Sequence, residues 1–380
     1  MRDDERVNGE REFDIAIVGT VGLPARYGGF ETLAEQLVRR LAGRRRMLVY
    51  CTAKNRVAFP VSEEGATLEY ITLDANGMQS IVYDAIAMWR TTRRSSTMLV
   101  LGVSGCLALP AIRWRDPMLR IVTNIDGLEW KRAKWGRLAR IILRWSEAAA
   151  VRFSDVVIAD NEEIRAYVQK RYDKDVPMIA YGGDADATPL AFARQFALPF
   201  AARTYDFVVC RIEPENNIGL ILEAFARVSD KNLVIVGNWN VSAYAMNLRQ
   251  QYDEHANIAL LDPIYDRAEL DAMRRDARAL IHGHSAGGTN PSLVEAMSAG
   301  MAVLAFDVGY NRYTTFNAAR YWYDVISLRA LITSLNDTEL AANRTAMRAL
   351  ADSHYTWGRI ATEYETALCG EPRTSHENAA

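Results

Sequence analysis

The residues best suited to bind an anion lie in the stretch HGHSAGGTNPSLVEAMSAGMAVLAFD, residues 282–307. A short apolar run ends where this stretch begins, a glycine pair follows, and Asn290 and Pro291 are residue types preferred at the start of a helix. Free N–H groups near Ser292 can bind phosphate at such a helix start. One turn later, Glu295 can accept hydrogen bonds from sugar hydroxyls. The alternative is a capped helix with a surface glutamate, but the glycine pair, asparagine and proline together favour a binding site.

A second candidate anion contact is Arg211, at the end of the apolar run in FVVCRIEPENN. A guanidinium is always charged and donates in a bidentate geometry, which suits a diphosphate. The spacing is almost equally compatible with a surface arginine paired to Glu213 or Glu215.

A third candidate is the glycine pair Gly28 and Gly29 in VGLPARYGGFET, just before a helix that we expect to begin near Phe30. Glycines there let backbone N–H groups approach an anion or a substrate closely. The spacing matches neither a GxGxxG fingerprint nor a P-loop, which also needs a lysine. A plain tight turn is an equally good interpretation.

The segment from Lys131 to Arg152 carries seven cationic residues against one acidic residue, interleaved with tryptophans. On a helix, five apolar side chains fall on one stripe and three arginines on the opposite face. The stripe comprises Trp135, Leu138, Ile142, Trp145 and Ala149, and the basic face comprises Arg137, Arg140 and Arg144. The pattern is compatible with an ordinary helix docked by its stripe and with contact to an anionic membrane surface. Both can hold if the stripe is buried and the arginines face lipid phosphates.

Composition excludes several other classes of function. The formal net charge of −2 gives no basic field for nucleic acid. The four cysteines show no metal spacing, so we expect no metal and a reducing, cytoplasmic compartment. The histidines lack ligand spacing too, although His282 follows an apolar run and could contact a ligand. No apolar stretch is long enough to span a bilayer.

Short runs rich in valine, isoleucine and leucine alternate with stretches of helical period, which predicts parallel sheets covered by helices. The series starts near Asp14 and restarts near Tyr205, so we expect two doubly wound domains with a cleft between the carboxyl ends of their strands. Predicted strands are 14–20, 47–52, 67–73, 97–103, 120–124, 155–159, 177–180, 205–212, 232–237, 257–261, 278–282 and 301–307. Predicted segments are a leader (1–12), an acceptor-side domain (13–182), a linker (183–204), a nucleotide-sugar domain (205–353), a helix crossing back to the first domain (354–369) and a tail (370–380).

The segments GTVGLPARYGGFET, CRIEPENNIGLILEAF and GGTNPSLVEAMSAG occur in the order and at the distances found in retaining glycosyltransferases of family 4. The chain resembles this family over about residues 14–368. The resemblance implies an α/β protein of the GT-B fold, with two Rossmann-like domains, and a metal-independent transfer with retention at the anomeric carbon. IDGLEWKRAKWG and HSAGGTNPSLVEAM are more specifically similar to bacterial rhamnosyltransferases of capsule or exopolysaccharide assembly.

By this resemblance Arg211 meets the donor diphosphate, Glu295 holds the nucleotide ribose and Asp126 lies near the donor sugar. The implied donor-binding residues are Gly28, Gly29, Asn216, His282, Gly287, Gly288, Thr289, Asn290, Pro291 and Ser292. The implied co-substrate is a nucleotide sugar, dTDP-rhamnose first and a UDP- or GDP-sugar second, with no other cofactor. The implied acceptor is a lipid-linked saccharide, which places the protein peripherally on the inner face of the cell membrane.

Three positions depart from the family pattern. Gly287 stands where the first glutamate of E-x7-E is usual, Asn216 replaces a lysine that neutralises the diphosphate, and Asp126 replaces a histidine. We interpret the three changes as a shifted donor specificity more than a loss of activity. The alternatives are a GT-B epimerase of nucleotide sugars and a non-catalytic sugar-nucleotide-binding protein.

Overall fold

The computed structural model describes residues 11–25, 28–54, 58–131, 135–184, 198, 200 and 205–370. Most of the predicted leader, most of the predicted linker and the predicted tail after residue 370 lie outside the described residues. The described chain forms two largely parallel sheets with helices packed against them.

The first sheet has seven strands in the order β3-β4-β2-β1-β5-β6-β7. The strands are β1 (Phe13–Val18), β2 (Met47–Thr52), β3 (Ser62–Glu63), β4 (Ala66–Ile71), β5 (Ser95–Leu101), β6 (Arg120–Asn124) and β7 (Val156–Ile158). The helices of this half are α1 (Gly29–Leu41), α2 (Ser80–Thr91), α3 (Leu109–Arg115), α4 (Arg137–Phe153) and α5 (Glu162–Tyr172). All six residues of β2 are buried, as expected for an inner strand of a sheet with covered faces.

The second sheet has six strands in the order β10-β9-β8-β11-β12-β13. The strands are β8 (Tyr205–Val209), β9 (Asn232–Val236), β10 (Ile258–Leu261), β11 (Ala279–His282), β12 (Ala302–Phe306) and β13 (Arg320–Trp322). The helices are α6 (Ile218–Ala226), α7 (Ala243–Tyr252), α8 (Arg267–Asp276), α9 (Pro291–Ser298), α10 (Gly309–Thr314), α11 (Val325–Ser334), α12 (Asp337–His354) and α13 (Trp357–Cys369). Every strand pair of this sheet is parallel.

The helices bury one apolar stripe each. In α1, Leu33, Leu37 and Leu41 recur every four residues and are at most 3% exposed. Burial of each leucine contributes about 1.5–3 kcal/mol. Local chemistry sets where helices start, because Asn336 caps α12 with a capping box that satisfies two otherwise unpaired N–H groups.

Three elements differ from the sequence prediction. The predicted strand 177–180 is wrong, because this segment makes a single bridge, Ala159 to Met178, and does not continue the ladder. The short strands β3 and β13 were not expected. Each lies at an edge of its sheet and pairs with one neighbour only. Because an edge strand is less buried than an inner one, its sequence shows only a weak apolar pattern.

Both sheets reverse their winding once. The reversal lies between β1 and β5 in the first sheet and between β8 and β11 in the second. At such a point the loops leave in opposite directions and open a crevice at the carboxyl ends of the strands. The fold therefore provides one crevice in each half of the molecule.

The last helix, α13, returns to the first sheet and packs against α1, β5 and β6. Its Tyr364 hydroxyl accepts a hydrogen bond from Asn124 Nδ2 at 2.6 Å. The carbonyl of Leu368 accepts one from Thr97 Oγ1 at 3.1 Å.

The chain enters the second half of the molecule after about Gly183 and leaves it at about Tyr355, and these two segments lie side by side. The N–H group of Gly183 donates to the carbonyl of Tyr355 at 2.8 Å. The ring of Tyr181 lies 4.8 Å from that of Trp357, edge to face. Both chain crossings between the two halves therefore lie at one place.

Candidate active site

The turn after β11 leads directly into α9. Asn290 is the N-cap of α9, its side chain accepts the N–H of Ser292 at 3.0 Å, and Pro291 is the first helical residue. Gly287 has a φ of +134°, which favours glycine strongly. The predicted strand, turn, cap and helix therefore occur in that order.

The N–H groups available in this turn differ from those expected. The N–H of Ser292 is taken by Asn290 Oδ1, and that of Leu293 is directed at the carbonyl of Asn290. The prediction that these two groups are free for phosphate is therefore wrong. Within the described residues, the backbone N–H groups of Gly287, Gly288 and Thr289 have no hydrogen-bond partner. Three consecutive backbone donors are thus available to a ligand just ahead of the helix, and such a run can bind an anion.

His282 ends β11 beside the crevice and is 2% exposed. Burial lowers its pKa to about 3, so the imidazole is neutral. Its ring stacks on that of His284 at 4.4 Å. His282 therefore supports the floor of the turn, and as a neutral ring it can give a hydrogen bond but no charge to a ligand.

The loop after β8 forms the other wall of this crevice. Arg211 lies two residues beyond the end of β8, and its guanidinium is 3.6 Å from Glu213 with 44% of the side chain exposed. The buried Asn216 donates from Nδ2 to the carbonyl of Arg211 at 2.7 Å. Asn216 thus fixes the backbone that carries Arg211, a supporting position for a predicted donor contact.

The loops after β8 and β11 are tied together. The N–H of Ser285 donates to the carbonyl of Glu215 at 2.9 Å, and Asn217 Nδ2 donates to the carbonyl of Gly283 at 2.8 Å. A Cβ atom on Gly283 would overlap the carbonyl of Asn216. Because residue 283 is glycine, the loop that carries Arg211 can approach the turn that carries the free N–H groups. Both therefore line one crevice.

Glu295 is held by a partner that the sequence did not reveal. Arg274 in α8 is 3% exposed and lies 2.7 Å from Asp271 and 2.5 Å from Glu295. The Glu295 side chain keeps 22% of its surface exposed. A carboxylate oriented in this way can accept hydrogen bonds from ribose hydroxyls through its exposed side, while the Arg274 guanidinium balances its charge.

The first half of the molecule faces this turn with the start of α1. Gly28 is the N-cap of α1 with a φ of +128°, and a Cβ on Gly29 would lie 3.1 Å from Pro291 of the other half. The buried Glu31 accepts the N–H of Val21 at 2.8 Å, which holds the glycine-containing loop against α1. Burial raises the pKa of Glu31. The structure thus places the glycine pair in a tight turn at the junction of the two halves.

A second crevice loop, after β5, covers a buried carboxyl group. Asp84 in α2 is 5% exposed and accepts the N–H of Gly105. Burial raises its pKa to about 8. Asp84 supports the crevice floor as a neutral acid near pH 7.

Asp126 follows β6 with a left-handed φ of +56°, and its N–H donates to Asn124 Oδ1 at 2.9 Å. The next residue touches the other half, because a Cβ on Gly127 would lie 2.7 Å from Gly287 Cα. Glu129, three residues further on, accepts a hydrogen bond from Trp135 Nε1 at 3.0 Å. The structure therefore brings Asp126 to the turn and engages Glu129 with its own loop.

The sequence prediction missed Asp160, which follows β7. Thr289 Oγ1 donates to the carbonyl of Asp160, and a Cβ on Gly288 would overlap the Asp160 carboxylate. Asn161 Nδ2 donates to the carbonyl of Tyr310 in α10 at 3.3 Å, a second contact between the halves. The signal was present in the sequence, since a carboxylate directly after an apolar run belongs at the carboxyl edge of a sheet.

The predicted docking face of α4 is wrong. The buried residues of α4 are Leu143, Ser146, Glu147, Ala150 and Val151. Leu138 is 72% exposed and Trp145 is 66% exposed, whereas Trp135, Ile142 and Ala149 are partly buried, so the stripe is not the docked face. The buried polar residues are satisfied, because Glu147 accepts hydrogen bonds from Trp130, Tyr167 and Tyr172.

The three arginines of α4 differ in their surroundings. Arg137 and Arg144 are exposed, and Arg144 lies over the ring of Trp130 at 4.8 Å, whereas Arg140 is partly buried. None of the helices in the described part of the chain has the length and apolarity needed to cross a bilayer.

Two protein-family models match the chain. Residues 12–184 match a domain of unknown function, DUF1972, and residues 197–342 match the glycosyl transferases group 1. No curated protein sequence matches the chain.

Solved structures match over almost the whole chain. Sucrose-phosphate synthase from Thermosynechococcus elongatus is 13% identical with a TM-score of 0.73, covering 93% of this chain and 97% of that one. An α,α-trehalose-phosphate synthase from Burkholderia xenovorans, in complex with glucose-6-phosphate, is 13% identical with a TM-score of 0.70 and coverages of 94% and 100%. The catalytic domain of starch synthase IV from Arabidopsis thaliana, bound to ADP and acarbose, is 13% identical with a TM-score of 0.68 and coverages of 94% and 99%.

The fold predicted from the sequence is confirmed: the chain has the GT-B fold, two Rossmann-like domains with their crevices facing each other. Its C-terminal part is similar to the glycosyl transferases group 1 over residues 197–342.

Proposed function

We propose that the protein is a retaining glycosyltransferase that moves a sugar from a nucleotide donor to a saccharide acceptor. The observation that carries the proposal is the run of free N–H groups at Gly287, Gly288 and Thr289, at the crevice of the group 1 domain. Three backbone donors with the Arg211 guanidinium nearby suit a diphosphate. Starch synthase IV bound to ADP shows that a protein of this fold accepts a nucleoside diphosphate.

In the proposed reaction, the bond between the anomeric carbon and the donor phosphate breaks while a bond to the acceptor oxygen forms on the same face. The acceptor proton passes to the leaving phosphate oxygen. The free N–H groups and Arg211 stabilise the charge that develops on the diphosphate. Glu295 orients the ribose. Asp126 contributes a polar contact from the acceptor-side domain.

We further propose dTDP-rhamnose as the donor and a lipid-linked saccharide of cell-surface polysaccharide synthesis as the acceptor. The support is the sequence similarity of IDGLEWKRAKWG and HSAGGTNPSLVEAM to rhamnosyltransferases. The departures at Gly287 and Asn216 remove one carboxylate and one cation from the usual donor site, in line with a changed sugar.

The first experiment is a thermal-shift assay with dTDP, UDP, GDP and CMP, followed by transfer from the matching sugar nucleotide to extracted lipid-linked saccharides. A ligand at 100 times its dissociation constant adds about 2.7 kcal/mol of stability. We expect dTDP to stabilise the protein selectively. We also expect Arg211→Ala and Glu295→Ala to lose transfer, whereas Arg227→Ala, at an exposed ion pair, retains it. Full transfer by both site variants would refute the site assignment, and binding without transfer would favour a non-catalytic protein.

The exposed face of α4 supports an encounter with an anionic membrane at the acceptor-side domain. Leu138, Ile141 and Trp145 form its solvent-facing centre, and Arg137 and Arg144 are exposed beside them. Exposed tryptophan and leucine beside arginine is the composition of an interfacial helix. This differs from the sequence hypothesis, because the apolar stripe itself would enter the headgroup region.

Vesicle sedimentation tests this surface. We expect salt-sensitive binding to phosphatidylglycerol vesicles and little binding to neutral vesicles, since each basic residue near an anionic surface contributes about 1 kcal/mol. Neutralising Arg137, Arg140 and Arg144 together should weaken binding, with most of the effect from the two exposed arginines, and Trp145→Ser should weaken it further. Unchanged binding of the triple variant would exclude this helix.

A further inference from the structure

The donor-binding turn has no acidic residue of its own. The segment from Gly283 to Asn290 reads GHSAGGTN, and the position of Gly287 is open, with no atom within 4 Å of an added Cβ. A sugar bound beside this turn therefore meets no carboxylate from the turn itself.

The opposite domain fills this gap. The carboxylate of Asp160 lies where a side chain on Gly288 would otherwise stand, so glycine at 288 is what admits it. The hydroxyl of Thr289 donates to the Asp160 carbonyl and fixes the backbone on which this carboxylate is carried. Two independent contacts thus seat Asp160 on the turn.

Asp160 and Asp126 each follow a strand of the first sheet, and both carboxylates act on the Tyr364 hydroxyl. Burial raises the pKa of the Tyr364 hydroxyl, and the negative charges of Asp160 and Asp126 raise it further. Gly127, next to Asp126, touches Gly287 just as Asp160 touches Gly288. The segments that carry Asp126 and Asp160 therefore both contact the two glycines of the donor-side turn.

We infer that Asp160 is a specificity-determining residue that accepts hydrogen bonds from hydroxyls of the donor sugar. This inference rests on the proposed function. The N–H groups of Gly287, Gly288 and Thr289 would hold a phosphate that is bonded directly to the sugar. The sugar would therefore lie beside Gly288, where the carboxylate is. Carboxylate oxygens are strong acceptors for hydroxyl groups. Since Asp160 comes from the other domain, the sugar is recognised only when the two halves are together.

The test compares a nucleoside diphosphate with its sugar nucleotide in Asp160→Asn. The pair is whichever of dTDP and dTDP-rhamnose, UDP and UDP-glucose, or GDP and GDP-mannose binds to the wild type by isothermal titration calorimetry. We expect the sugar nucleotide to bind at least about tenfold more weakly, the scale of one lost charge-assisted hydrogen bond. The diphosphate should bind equally well or more tightly, because it does not reach the carboxylate and one negative charge has gone.

Two further variants separate this role from a structural one. Asp160→Glu keeps the charge but displaces the carboxylate, and we expect the same selective loss for the sugar nucleotide. Glu162→Gln removes a charge two residues away on an exposed ion pair and should change neither affinity.

Equal weakening of both ligands by Asp160→Asn would overturn the inference in favour of a structural role. Tighter binding of both would overturn it in favour of a carboxylate that merely competes with the donor. If no pair binds to the wild type, the proposed function itself fails, and the inference falls with it.

Discussion

The buried carboxyl group of Asp84 makes the stability of the N-terminal domain depend on pH, and the size of the effect follows from its pKa. In the folded protein its pKa is raised to about 8 because the group is buried with a single N–H donor, from Gly105. In the unfolded chain the same group ionises near a pKa of about 3.9. Between these values folding takes up one proton, so the free energy of unfolding decreases by about 1.4 kcal/mol per pH unit. The contribution is fully present below about pH 4 and is lost as the pH rises through the folded pKa.

Asp84→Asn removes this titration and keeps an acceptor for the Gly105 N–H. We expect the variant and the wild type to have equal free energies of unfolding near pH 4. At pH 7 the variant should be more stable by roughly 4 kcal/mol, and above about pH 8 this difference should increase little further. Urea denaturation at four pH values measures the difference.

Asp175→Asn is the control, because its side chain is 72% exposed. Removing that surface carboxylate should change stability by less than about 1 kcal/mol at every pH. A difference between Asp84→Asn and the wild type that does not change with pH would refute the argument, because it would mean that Asp84 is ionised in the folded protein.

Two further predictions concern the site. Arg274→Met leaves Glu295 and Asp271 without their buried partner, and we expect a loss of about 2–4 kcal/mol in urea denaturation together with weaker nucleoside diphosphate binding; Arg227→Met, in an exposed pair, should cost less than about 1 kcal/mol, and equal losses would contradict the assignment. Gly127→Ala adds a methyl group 2.7 Å from Gly287 Cα, so we expect the cleft to be held apart, with a larger radius of gyration in X-ray scattering and reduced transfer at unchanged diphosphate binding; an unchanged radius and rate would show that the two loops yield.

The sequence predicted those features that one segment encodes by itself. The apolar runs at Met47–Thr52 and Arg120–Asn124 are strands with these bounds because a buried parallel strand must be apolar on both faces. The start of α9 followed from Asn290 and Pro291, whose side chains act on their own helix.

Features that depend on two distant segments were missed. Arg274 looks like one of several surface charges in RRDAR, yet it is buried because Glu295 and Asp271 lie within reach. Asp160 is part of the candidate site because it contacts Gly288, which is far along the chain and in the other domain. Neither partner can be inferred from local spacing.

The error at α4 has the same physical origin. Ser146 and Glu147 are polar, so periodicity assigned them to the solvent side, but hydrogen bonds from other elements make their burial favourable. Once those residues face inward, the helix must turn Leu138 and Trp145 outward. Hydrophobic period alone identifies a stripe and leaves open which side of the helix docks.

The return of α13 to the first sheet affects the order in which the protein can be completed on the ribosome. The N-terminal domain is synthesised first, yet Asn124 Nδ2 and Thr97 Oγ1 donate hydrogen bonds to Tyr364 and Leu368 of α13. While the second domain is being translated, that surface of the first domain is not yet covered by α13. Domains generally fold as units during synthesis. The N-terminal domain, however, receives its last helix only after the second domain has been synthesised. The domain that begins first is therefore completed last.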